Sequence, residues 1–150
     1  MDICMKVWHN KRIWFFERVH DSFCDLLNFQ SSYKWIGGWD AMIYFISDTH
    51  FGHAAMNEAL ITAWNERVHG DDTVYIIWEM FCRCSDPESI LKRLKGKKWL
   101  IVGNHDGSWM DKVDLNHYFV SVDNYLETTD GVHGMTICHY PLLAWKNAGR

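Results

Sequence analysis

Four polar clusters stand where chemistry could be done: Asp48-Thr49-His50, Trp78-Glu79, Asn104-His105-Asp106 and His139-Tyr140-Pro141. Each follows an apolar run of strand type, and in open α/β sheets functional groups gather at the carboxyl ends of the strands. Carboxylate, imidazole and amide oxygen together suit divalent cations of the Mn, Fe and Zn class, whereas an all-oxygen shell points to Mg or Ca. Two such ions about 3.5–4 Å apart clamp a phosphoryl group and lower the pKa of an attacking water towards ~7. Phosphoester hydrolysis is the reaction that matches these groups.

The elements that must position them are read from period and punctuation. Residues 43–46 form a short apolar run of buried-strand type. Met56, Ala59, Leu60, Ala63 and Trp64 recur at helical spacing as far as Val68, and Gly70-Asp71-Asp72 makes the stop. Residues 73–77 read as a second strand. Asp86-Pro87 opens a helix to about Leu94, closed by Gly96, and residues 98–102 read as a third strand. Strand and helix alternating at these lengths imply βαβ units and a largely parallel sheet. Residues 119–122, 125–128 and 135–138 are short strand candidates that suggest a second sheet or hairpin, with Asp130-Gly131 as a turn. The first 41 residues crowd Trp8, Trp14, Phe15, Phe16, Phe23, Phe29, Tyr33, Trp35 and Trp39. A helix from Lys11 to Phe29 is the expectation there, with its aromatic residues on several faces.

The runs Asp48-Thr49-His50-Phe51-Gly52-His53, Gly103-Asn104-His105-Asp106 and His139-Tyr140-Pro141, in that order, resemble the signatures of the calcineurin-like metallophosphoesterases. The similarity covers about residues 42–146 and is close in type to the small bacterial and phage phosphoesterases. The resemblance implies an α/β sandwich of two sheets flanked by helices. It implies two divalent cations (Mn, Fe, Zn, Ni or Co), with Asp48 and His50 on the first and Asn104 and His139 on the second. His105 would face the substrate phosphate as general acid or charge stabiliser, oriented by Asp106. His53 and Asn104 would lie with His105 at the substrate.

The chain departs from that family in three places. Where the family has a glycine-aspartate pair whose aspartate bridges both metals, Trp78-Glu79 stands here; Glu79 is the expected metal ligand, on an arm one methylene longer. Ala54-Ala55 joins His53 directly to the helix, where the family usually has a longer loop. The family's closing glycine-histidine-x-histidine motif would fall beyond Lys146, so the domain expected over residues 42–150 is incomplete at its C-terminus, and another chain is one source for the missing histidines. Residues 1–41 are expected to be an extension of unknown role. The alternative to an active phosphoesterase is therefore a degenerate or truncated relative that binds metal weakly without turnover.

Composition narrows the remaining choices. A chain of 150 residues with 48% hydrophobic and 23% charged residues is of single-domain size. A formal charge of -4 supplies no general field for a polyanion, so nucleic acid enters only as a substrate of a local, cation-bearing site. Five cysteines at irregular spacing argue against a disulfide framework and for a reducing, cytoplasmic setting. With no leader-like segment and no apolar run near 20 residues, no membrane partner is expected. Cys82-x-Cys84 has no second pair to complete a zinc shell, and the basic run Lys92-Arg93, Lys95, Lys97-Lys98 reads as a solvated face.

Overall fold

In the computed structural model residues 5–9, 12–16, 30–34, 41–52, 54–129 and 134–144 are described, with side chains over 41–52, 56–129 and 134–144. An antiparallel pair, β1 (Met5–His9) and β2 (Arg12–Phe16), comes first. The helix expected over 11–29 is thus overturned at its start. Trp14-Phe15-Phe16 is a run of strand-forming aromatics with no apolar stripe to seat a helix. Residues 17–29 lie outside the described residues.

The main sheet follows. Its edge strand β3 (Gln30–Lys34) runs antiparallel to β4 (Met42–Ser47). Beyond β4, the strands β5 (Thr73–Ile77), β6 (Lys97–Ile101) and β7 (Phe119–Asp123) lie side by side, and β4 to β7 are all parallel. The helix α1 (Ala54–Arg67) connects β4 to β5. A shorter helix, α2 (Pro87–Leu91), connects β5 to β6; the Asp86 carboxylate accepts from the Ser89 N–H at 3.1 Å as its cap, and proline begins it. Gly96, at φ +87, turns the chain into β6, where a Cβ would sit 2.6 Å from the Val68 side chain. Two one-turn helices, α3 (Gly107–Met110) and α4 (Leu115–Tyr118), precede β7.

Residues 119–123 therefore belong to the parallel sheet and not to the second one. The remaining strand candidates do pair apart from it, as the antiparallel hairpin β8 (Tyr125–Thr129) and β9 (Gly134–Cys138). The period of the central strand explains the layering. In β5, Val74 and Ile76 enter one apolar cluster with Leu60, Trp64, Leu91 and Trp109, while Tyr75 and Ile77 enter another with Phe45, Ile101, Met135 and Ile137. Successive strand side chains point to opposite faces, so a strand covered by helices on one side and a hairpin on the other reads as unbroken apolar sequence. No helix among the described residues is long and apolar enough to cross a membrane.

The basic run is occupied with local partners. Arg93 makes a two-pronged ion pair with Glu58, Lys92 pairs with Glu88, Lys97 with Asp71, and the Lys98 ammonium donates to the Leu94 and Gly96 carbonyls. A face so arranged offers little free charge to a polyanion.

Candidate metal centre

The loops after β4 and β5 are locked together by their backbones. The His50 N–H donates to the Glu79 carbonyl at 3.1 Å, Phe51 N–H to the Met80 carbonyl at 3.0 Å, and Cys82 N–H to the Phe51 carbonyl at 2.9 Å. The buried Thr49 hydroxyl adds a bond to the Met80 carbonyl at 3.0 Å. Gly52 is required where it stands, because a Cβ there would lie 1.9 Å from the Cys82 carbonyl oxygen.

Asp106 ties the third loop to these two. Its fully buried carboxylate accepts from the N–H groups of Gly103 at 2.8 Å and of Glu79 and Met80 at 3.2 Å, and from the Trp109 indole at 2.9 Å. None of these bonds involves His105. Asp106 thus works on the backbone that carries Glu79.

Strain collects in the same loops. Among the described residues the non-glycine positions with positive φ are Asp48, His50, Trp78, Glu79 and Arg83. Left-handed backbone costs an L-residue about 1–2 kcal/mol, and such residues persist where surrounding bonds over-determine them. Here it turns the Asp48, His50 and Glu79 side chains towards one point.

Their ligand atoms all lie within 4.8 Å of one another. His50 Nε2 is 2.8 Å from Glu79 Oε2 and 3.3 Å from Asp48 Oδ1. Donors about 2.1 Å from a common ion and at right angles are about 3 Å apart, so this edge length fits a small divalent cation. The two carboxylates hold the His50 pKa above the ordinary 6.5, the Asp48 hydrogen bond most of all and the Glu79 charge after the opposing cost of burial. His105 completes the group from the side, its Nε2 3.5 Å from Glu79 Oε1, with 67% of its side chain exposed. A pocket of about 330 Å³ opens here, lined by His50, Glu79, His105, Phe81, Cys82, Arg83 and Ser108.

Asn104 and His139, the other expected ligands, are brought to each other. His139 Nε2 lies 2.8 Å from Asn104 Oδ1. An amide oxygen only accepts, so Nε2 carries the proton and donates, which leaves a lone pair on Nδ1. That Nδ1 is buried and has no partner. Burial pushes the His139 pKa below 6.5, against the raising influence of Glu79, Asp106 and Asp48. His139 does not join the Asp48, His50 and Glu79 group.

The set of five expected ligands is therefore split, three residues on one side and two on the other. His53 lies outside the described residues. Sequence reasoning missed the part taken by Trp78, whose indole donates to Asp48 Oδ1 at 3.0 Å and packs edge-on against His139 at 4.5 Å. It also missed Phe81, Cys82, Arg83 and Ser108 in the pocket wall. Residues 81–83 lie two to four positions after the acidic ligand Glu79, and that nearness was the only available signal. Cys82 is exposed and Cys84 buried, and both are free thiols, as is Cys138.

Comparison with known proteins gives relatives of undefined activity. The chain is 32% identical over 118 residues to the uncharacterized protein MJ1445 of Methanocaldococcus jannaschii, a match covering 61% of this chain and 67% of that protein. It is similar to the crystal structure of the protein of unknown function AQ665 from Aquifex aeolicus, with TM-score 0.54 and 29% identity over 67% of this chain. This chain spans 61% of the length of AQ665. No family model matches the sequence.

Proposed function

We propose that this chain, which belongs to the same family as the uncharacterized protein MJ1445, is a metal-dependent phosphoester hydrolase. The observation that carries the reading is the convergence of Asp48, His50 and Glu79 ligand atoms within 4.8 Å of one another, beside an open pocket whose wall includes His50 and Glu79. A divalent cation of the Mn, Fe or Zn class held there would supply positive charge to a phosphoryl oxygen and lower the pKa of a water. The chain's own residues do the rest. His105 reaches into the pocket beside Glu79 and is placed to give a proton to a leaving oxygen. Arg83, on the same wall, offers a guanidinium to the remaining phosphate oxygens.

Two further features support the assignment. The ordered motifs resemble the calcineurin-like metallophosphoesterases, and a parallel sheet with a separate antiparallel hairpin on its second face suits their two-sheet organisation. We place the protein in a reducing, cytoplasmic setting, because its described cysteines are all free thiols. Hydrolysis of p-nitrophenyl phosphate or bis(p-nitrophenyl) phosphate with Mn, Ni, Co, Fe or Zn tests the reading. Turnover that disappears in Asp48→Asn and His105→Ala is the expected result; a folded chain inert with every one of these metals contradicts it.

A further inference from the structure

Trp78 touches both halves of the split ligand set. Its N–H donates to the Ile101 carbonyl at 2.9 Å, which fixes the backbone, and the residue is 3% exposed. The indole N–H sits on Asp48 Oδ1 at 3.0 Å, while the ring lies 4.5 Å from the His139 ring at an interplanar angle of 64°. Behind it Gly103 leaves no slack: a Cβ there would come within 2.4 Å of the Trp78 Cβ. The side chain is thus held between Asp48, His139 and the residue that precedes Asn104.

An indole nitrogen donates and cannot ligate. It aims a proton at Asp48 Oδ1, the oxygen that also faces His50, and fills the space between that carboxylate and His139 with apolar volume. Glu79 offers no substitute, since its two oxygens are directed at His50 and His105. Asn104 and His139 are left as two donors without a third, bonded to each other. The geometry points to a mononuclear centre: one divalent cation on Asp48, His50 and Glu79, with Trp78 as the side chain that keeps the Asn104–His139 pair from forming a second site. The inference rests on the proposed metal dependence but concerns the number of cations and the residue that sets it. The unpartnered, buried Nδ1 of His139 marks the cost of leaving that pair unused.

Equilibrium dialysis of the full chain against Mn(II) or Zn(II), read by elemental analysis, tests it. Wild type is expected to take up about one cation per chain and Trp78→Gly about two, the second being lost again in Trp78→Gly/His139→Ala. Trp78 already holds a positive φ of 49, a conformation that glycine adopts freely. Trp78→Phe, which keeps the bulk and loses the N–H, should stay at about one. If Trp78→Gly does not fold, His139→Ala in the wild-type background decides: it should keep the single cation, and losing it overturns the inference. Two cations or none on wild type, or one on folded Trp78→Gly, also overturn it. A chain that binds one cation and hydrolyses nothing removes the proposed activity and leaves this inference standing; one that binds two and turns over does the reverse.

Discussion

The two groups of ligand-type residues follow strand ends, Asp48, His50, Glu79 and Asn104 in the main sheet and His139 in the hairpin, and are built from similar chemistry, yet they have different fates. Asp48, His50 and Glu79 lie close enough to share an ion, and His50 and Glu79 open onto a pocket. His139 is 3% exposed, spends one ring nitrogen on Asn104 and leaves the other without a partner. What separates them is one side chain. Trp78 is large where the two groups meet, so the identity of a residue that cannot itself ligate decides which ligands can act together. Residue type at a strand end makes a candidate; the volume of its neighbour decides whether it is used.

The comparison breaks most completely if the frame common to both groups is removed. Asp106→Ala strips the acceptor from three backbone N–H groups and the Trp109 indole. Leaving several buried donors unpaired is expected to cost about 3–5 kcal/mol in urea unfolding and to abolish cation binding as well. An unchanged midpoint would show that Asp106 does not hold the loops.

The next effect separates the groups. Glu79→Gln should weaken Mn(II) or Zn(II) binding by more than roughly 100-fold, beyond the loss of an outer partner, whereas Asn104→Ala should change it less than about threefold. Equal losses in a competition titration would mean that both groups serve one ion set.

The smallest effect is a difference of sign. The His50 pKa is raised above 6.5, chiefly by its hydrogen bond to Asp48. The metal-free chain is therefore stabilised by protonated His50 below that value, and the contribution is lost as pH rises through the folded-state pKa. His139 is shifted the other way, because burial disfavours its charged form. Its contribution is present above 6.5 and lost as pH falls through and below 6.5 towards the folded-state pKa. Urea midpoints across about pH 5 to 8 in EDTA should lose their alkaline-side slope in His50→Gln and their acid-side slope in His139→Gln. Slopes of the same sign for the two variants would contradict the assignment.

Much of the architecture was legible because burial on two faces leaves a plain mark. Residues 73–77 are apolar without interruption since β5 is covered by helices and by the hairpin, and the strand bounds expected there match those found. Residues 119–122 lie in the parallel sheet and not in the second sheet that their spacing suggests. A five-residue strand carries no sign of its partner, and parallel pairing of β7 with β6 depends on two one-turn helices too short to show a period. Residues 12–16 form a strand where a helix is expected, because aromatics without alternation carry little periodic information. At the site, the ligand types at the strand ends were readable, and so was the likeness in their order. The division into three and two was not, since it arises from where the Trp78 indole points and from backbone at positive φ, and neither leaves a trace in spacing. The same holds for Asp106, whose carboxylate serves backbone N–H groups that have no sequence signature.

The most direct test of metal-dependent phosphoester hydrolysis is the rate on bis(p-nitrophenyl) phosphate for chain stripped of metal and then reloaded with Mn(II). The account predicts no turnover after stripping, recovery on reloading, and no recovery in Asp48→Asn. Turnover that survives stripping, or a reloaded and folded wild type that remains inert with this substrate and with p-nitrophenyl phosphate, would contradict it.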